Sequence, residues 1–402
     1  MMKKLLLAST SAFVVALATP AFAGGSSTNL SQTGHNQRAD INQVGATNGK
    51  VGDVGGFAFV QEDGAGSGHN TISITQTGSN NAFGVSAYSW QSGSKNNASI
   101  LQETGENDIW LRQTGNNNGS TSAYIHQNAN PAALKDPNGN NKLGLIQTGN
   151  ANQFLIDQYN TNAYGHTLNS IAAGQYGNKN TLTILQEGQQ DKVTLEQYGN
   201  GNTFYSSQGA GPGGAYAAEI TAVQRSDASV GNTIESHQEN GTNSKLYVAL
   251  QQGHANYIYN NQIGANTAYV NLQNGHDNKI FNRQNADWGS TATYYQDGSN
   301  LIADVSQTGS GVKLATITQS GSLNSAYLIQ SGSASTANLT QTGSNSYANV
   351  TQTGVGTGLQ NSVSGTQNGT GAQNQAWVSQ TSYSNTANFN QNGSGNYTNI
   401  KQ

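Results

Sequence analysis

The 402-residue chain has no cysteine, so no disulfide staples it. Proline is scarce: Pro20, Pro131, Pro137 and Pro212 are the four in the chain. Charge is scarce too, at 9% of residues, with a formal net charge of −4. That balance argues against nucleic acid or an anionic membrane as partner. Beyond one stretch near the start, no run is apolar enough to span a bilayer. What is abundant is Gly, with 50 residues, and Asn, Gln, Ser and Thr. Such a composition suits either a disordered chain or a regular β array, and periodicity decides between them.

The stretch near the start is a basic pair, Lys3 and Lys4, then an apolar run from Leu5 to Ala18, then Ala21-Phe22-Ala23. This order reads as a secretory signal peptide, residues 1–23, cleaved after Ala23. The run is short for a membrane anchor. Losing the two lysines leaves the mature chain, residues 24–402, more acidic still.

The repeat is clearest from Gln307 to Gln352. Gln307, Gln319, Gln330, Gln341 and Gln352 recur every 11 or 12 residues. Before each later Gln, positions −4 and −2 are apolar, the −2 set being Ile317, Leu328, Leu339 and Val350. Two residues after each Gln stands a glycine: Gly309, Gly321, Gly332, Gly343 and Gly354. Apolar–x–apolar–x–Gln is a period-2 strand with one buried face, and the x-Gly after it is a turn. One such unit cannot bury its face alone, whereas stacked copies can.

The Gln marker runs through thirty positions from Gln32 to Gln402, including Gln391. Sixteen of the twenty-nine intervals are 11 residues, and the others are longer. Position −4 is apolar in 28 units, Thr28 and Thr398 excepted; position −2 is apolar in 23, Ile400 among them. No charged residue occupies either column, which a disordered chain has no reason to maintain. Positions −3 and −1 do carry charge, at Asp40, Arg112, Asp157, Glu196 and Glu235, and they hold His126 and His237. The alternation fits a sheet with one buried and one solvated face. Five residues after Gln, Asn is frequent, as at Asn107, Asn180 and Asn278, and stacked amides of this kind can pair along the stacking axis.

Two units of about 11 residues make one rung with two facing strands. The chain is therefore expected to be all-β: a β-solenoid of about fifteen rungs of ~22 residues, strand–arc–strand, with two facing parallel sheets. At ~4.8 Å per rung its length would be about 70 Å. The long intervals at 44–56, 128–141, 159–169 and 209–218 read as loops, and Pro131, Pro137 and Pro212 fall in them, as expected when strands are central.

These residues resemble the curlin repeat of bacterial curli fibres, in which Ser, five residues, Gln-x-Gly-x-Gly-Asn-x-Ala, three residues and Gln follow in that order. Ser335, Gln341, Gly343, Ala348 and Gln352 match it, with Asn345 and Ser346 in place of the Gly-Asn pair. Gln391, Gly393, Gly395, Asn396 and Gln402 match with Thr398 in place of Ala; Gln197, Gly199, Gly201, Asn202 and Gln208 match with Phe204 there. The resemblance implies an extracellular functional amyloid that stacks on itself head to tail in a biofilm matrix. It further implies export chaperones, an outer-membrane secretion pore and a surface nucleator.

No catalytic constellation, cofactor motif or metal motif is legible. His254 and His276 each sit three after a ladder Gln, 22 residues apart, so they should stack one rung apart as two solvated turn residues or a metal pair. Tyr176 and Tyr198 share that spacing and should form an aromatic ladder. Trp90, Trp110 and Trp377 fall in outward columns, as surface packing or as a polysaccharide contact. Two other readings stand beside the fibre: a monomeric solenoid adhesin or polysaccharide binder, and a β-helical polysaccharide enzyme. The enzyme would need clustered carboxylates, which the sequence does not place together.

Overall fold

The computed structural model describes residues 27–402 apart from 35–36, 45–49, 52–58, 64–68, 79, 85–88, 104–106, 121, 129–140, 160–168, 189, 210–217, 228–229, 240–243, 287–288, 355–359 and 383. Residues 1–23 with Ala23, the three prolines at 131, 137 and 212, and most of the four long intervals lie outside the described residues.

Among the described residues every regular element is a β-strand, 33 in all, and successive turns of the chain visit two sheets alternately. Asp108–Asn116 lies in the first, Tyr124–Asn128 in the second and Lys142–Asn150 in the first again. The first sheet has 18 strands and the second 15. Three early levels of the first sheet are each split in two, as with Ala82–Phe83 and Trp90–Ser94, which both pair with Asp108–Asn116. Pairing is parallel throughout. The chain is a β-solenoid of two parallel sheets, as the period predicts.

Register follows the Gln marker: Gln296 pairs with Gln319, which pairs with Gln341, and Gln307 pairs with Gln330, which pairs with Gln352. Thr181–Glu187 shows the resulting alternation, with Leu182, Ile184 and Gln186 buried and their neighbours not. The inward residues of both sheets form one continuous core that includes Ile317, Leu328, Leu339 and Val350. Ile400 packs against its edge, half-buried. All five of the acidic and basic side chains named in the outward columns are solvent-accessible.

Two departures from simple counting have local causes. Counting back from Gln251 and Gln273 places Tyr247 and Tyr269 inward. Instead Leu246, Val248, Ala268 and Val270 are buried, and both tyrosines face out. The register slips by one residue between Val270 and Leu272 and again opposite Ala222 and Gln224, so each strand carries a bulge that resets its face. The bulges occupy adjacent levels and stack, which leaves Tyr247 lying on Tyr269 with ring centroids 5.4 Å apart. Within the interval 44–56, read as a loop, Lys50–Val51 is a short strand paired with Ser27–Thr28 and Ala82–Phe83. Val51 is fully buried, so this part of the interval extends the core.

The arcs need left-handed backbone at two places. One is the glycine two after Gln, such as Gly321 with φ +96°. The other is the residue four after Gln, where twelve positions carry a side chain, among them Ala151, Ala255 and Leu323 with φ of 58°, 55° and 59°. An L-residue there costs about 1 kcal/mol or more. Replacing the exposed Leu323 by Gly should therefore stabilise the protein by about 1 kcal/mol, read as a rise in denaturation midpoint; a fall would show that the Leu323 side chain outweighs the strain.

Candidate functional site

Among the described residues no cleft dominates, and the functional geometry is the set of columns that repeat from level to level. The ladder glutamines point inward at the end of each strand, where burial forces each amide to find partners. They find each other. In the first sheet each Nε2 donates to the Oε1 of the Gln one level on, unbroken from Gln32 to Gln391. The second sheet repeats this from Gln43 to Gln402. Gln307, Gln319, Gln330, Gln341, Gln352 and Gln391 are buried, and Gln402 is exposed. Most also clamp the opposite sheet: Gln307 donates to the Thr291 carbonyl and Gln319 to that of Ile302. Both ladders donate in one direction along the axis, so the solenoid is electrically polar.

Because each Gln is donor and acceptor at once, removing one amide strands two others. Gln307→Leu would deprive Gln284 Nε2 of its 2.7 Å acceptor and Gln330 Oε1 of its 2.8 Å donor. A loss of about 1–3 kcal/mol per stranded group is expected, measured by denaturant titration. No change in midpoint would mean that water replaces the ladder.

The Asn and Gly columns turn out to be one device. Asn256 accepts the Asn278 backbone N–H on Oδ1, and its Nδ2 donates to the carbonyls of Gln252 on its own level and Gly275 on the next. The same Gly-carbonyl bond recurs at Asn96, Asn118, Asn152, Asn180, Asn278, Asn324 and Asn374. The positive φ of the glycine turns its carbonyl towards that amide. Amide-to-amide pairing of the kind expected occurs at some levels, as between Asn152 and Asn118, but side chain to backbone is the commoner mode. The glycines themselves stack: a Cβ on Gly321 would stand 1.9 Å from the Gly343 carbonyl oxygen, and one on Gly332 equally close to that of Gly354. Gly309 and Gly343 are left-handed as well, while Gly354 is not, and a Cβ there meets the Ser333 hydroxyl. At one level Lys313 replaces the Asn. It is buried, and its Nζ donates to the carbonyls of Gly309, Ser310 and Gly311.

Sequence reasoning passed over a polar spine inside the core. Ser236, Asn260 and Asn282 occupy inward −2 positions and are buried. Asn260 donates to Ser236 and Asn282 to Asn260, while the buried Tyr294 hydroxyl donates to Asn282. The non-apolar −2 positions of neighbouring units were the available signal.

On the outer faces, His254 and His276 stack with centroids 5.3 Å apart and form a bridge pair. His276 is exposed and His254 half-buried, and the carboxylates beside them are Asp277 and Asp227. Among the described residues no group of three His, Cys, Asp or Glu is placed to hold a metal ion. Tyr176 and Tyr198 stack at 5.0 Å. Trp90 and Trp110 both lie under the Arg112 guanidinium, and Trp377 packs on Tyr347. His126 sits between Asp157 at 3.0 Å and Glu103 at 3.2 Å. The hydrogen bond to Asp157, with that to Glu103, raises its pKa against the opposing effect of burial. Its contribution to stability is complete below its ordinary pKa and fades as pH rises through the raised one. At Glu219, burial raises the pKa, but hydrogen bonds from Tyr247 and Lys192 outweigh it, and the net shift is downward.

The comparison with known families follows from this repeat. A family model described as Curlin associated repeat matches the chain three times, over residues 69–103, 177–208 and 314–343. A search of curated proteins found no match.

Proposed function

Because the chain is a curlin-repeat protein, we propose that it is the secreted subunit of a curli-type amyloid fibre, self-assembling at the cell surface by nucleated head-to-tail stacking. The observation that carries this reading is the single polarity of the two Gln ladders. Level after level, the Nε2 groups donate towards one face of the stack and the Oε1 groups accept from the other. A second copy stacked in register would continue both ladders, one face supplying donors and the other acceptors. An interface that repeats by translation and twist does not close, so its product is a filament. The role is structural, with no catalytic step and no cofactor. Its setting is extracellular, in adhesion and in the biofilm matrix. Its partners are itself, a nucleator subunit, export chaperones and an outer-membrane pore.

A first level must order about 22 residues before any neighbour rewards it, whereas later levels dock on a template. Purified protein should therefore form filaments visible by electron microscopy, with a lag in thioflavin fluorescence that preformed seeds abolish. Growth without a lag and indifferent to seeds would overturn nucleated stacking. A second reading, a monomeric solenoid that binds polysaccharide, draws on the outward aromatic row Tyr327, Tyr347 and Trp377. It expects retention on a polysaccharide column and no filaments at all.

A further inference from the structure

The arc that leads from the second sheet into the first carries its own asparagine column, Asn81, Asn107, Asn141 and Asn169 on successive levels, all buried. Asn107 and Asn141 bond to the residue one level before them. The next place in this column is Asp191, and it is equally buried. It keeps the acceptor half of the pattern. Its backbone N–H donates to Asn169 Oδ1 at 3.1 Å, and the Ala218 backbone amide donates to its carboxyl. The donor half is missing. Asn169 uses Nδ2 to reach the Gly188 carbonyl, and Asp191 Oδ2, which stands where an amide nitrogen would, has no hydrogen-bond partner. An ionised carboxylate here puts a bare oxygen into a position built for a donor; a protonated one supplies the missing O–H.

We infer that Asp191 is an acid-operated latch: the arc at this level is favoured when the buried carboxyl is protonated, which spares Oδ2 an unpartnered negative charge, and weakened when it is ionised. Among the described residues no counter-ion is placed beside it. The charged side chains on the described elements packed against it are Glu187, Lys192, Lys142 and Glu219, all of which reach solvent. Lys192 is engaged outside by Glu219 at 3.3 Å. Burial, opposed by the Ala218 amide, pushes the Asp191 carboxyl well above its usual range. A carboxyl raised in the folded state adds stability below its unfolded pKa of about 4, and that stability is lost as pH rises through the folded value. Mild acid therefore favours the folded solenoid and alkalinity opposes it. A subunit with this latch would fold readily only where the surroundings are acidic enough, which sets a chemical condition on assembly.

The test compares the full-length wild type with Asp191→Asn, which supplies the donor at every pH. Thermal and denaturant unfolding are followed by circular dichroism in dilute, filament-free solution at about pH 5 and about pH 8, above the ordinary carboxyl range of about 4. The variant should resist unfolding at pH 8 by about tenfold or more in equilibrium constant, the usual cost of a stranded buried polar group, and the gap should shrink at pH 5. His126→Gln is the control, since His126 also loses strength as pH rises. It should flatten part of the slope and leave the Asp191 gap intact. Equal stability of wild type and Asp191→Asn at pH 8, or a gap independent of pH, overturns the latch. Seeded thioflavin growth on the same samples is read separately. It depends on the fibre reading, so a latch without filaments refutes that reading alone, and filaments without a pH-dependent gap refute the latch alone.

Discussion

Gly321→Ala should be among the most damaging single substitutions that add only one carbon. The new Cβ would sit 1.9 Å from the Gly343 carbonyl oxygen, and that oxygen belongs to backbone that cannot swing aside. The level above must rise, which stretches the Asn324 bond to the same carbonyl, 3.2 Å long, and the Gln319–Gln341 link beside it. A φ of +96° adds its own cost, since alanine disfavours that region. Two glycines separate these effects. Gly393 has φ +91° but no atom within 4 Å of a built Cβ, so Gly393→Ala carries strain alone. Gly209 has neither left-handed backbone nor a near neighbour, so Gly209→Ala should be close to neutral. The expected order of melting temperatures is Gly209→Ala, Gly393→Ala, then Gly321→Ala far below. In seeded growth the first two should part company. If a second copy docks over Gly393 as Gly343 docks over Gly321, Gly393→Ala folds yet fails to elongate from that face. Normal elongation by this variant would exclude in-register stacking there.

The fold was legible because its instructions recur. Apolar columns at −4 and −2, kept free of charge, can only be the inside of something, and a glycine after each Gln marks the turn. The parallel sheets, the register and the placement of Gln307 to Gln352 in two buried columns, one to each sheet, all follow from that spacing. What escaped is what a spacing cannot encode. Tyr247 and Tyr269 occupy the right numbers but the wrong face, because one extra residue per strand shifts everything upstream of the bulge. Val51 joins the core from within an interval that shows no marker. The tie between Gly and the Asn of the preceding level is a three-dimensional fact: Asn256 and Gly275 are 19 residues apart and meet only through stacking. Asp191 passes for a polar turn residue until its column neighbours are known to be buried asparagines. In each case the missing piece is the partner one level away, and the insertions vary how far along the chain that partner lies.

Val350→Asp should prevent folding at neutral pH, while Asn349→Asp, one bond along the chain, should leave it nearly intact. Val350 is fully buried, stacked in register between Leu328 and Val378. An aspartate there is surrounded by apolar rows with no donor in the pattern to satisfy it. Burying such a group unpaired costs several kcal/mol or forces it to take up a proton, which is of the order of a small domain's whole stability. Asn349 stands in the same strand with its side chain on the solvated face, between Tyr327 and Trp377. Its one side-chain bond is a long 3.4 Å donation to the Tyr347 hydroxyl, so a carboxylate there keeps its water and should shift stability by no more than about 0.5 kcal/mol. Lowering the pH should partly rescue Val350→Asp, because protonation removes the charge and leaves only a misplaced carboxylic acid. Circular dichroism of the three proteins across pH, followed by seeded growth, reads both effects. Equal losses in the two variants would mean that strand Ser346–Gly354 does not present Val350 to the core, and the face assignment for the whole second sheet would fall with it, since every level there is registered to this one through the same Gln column.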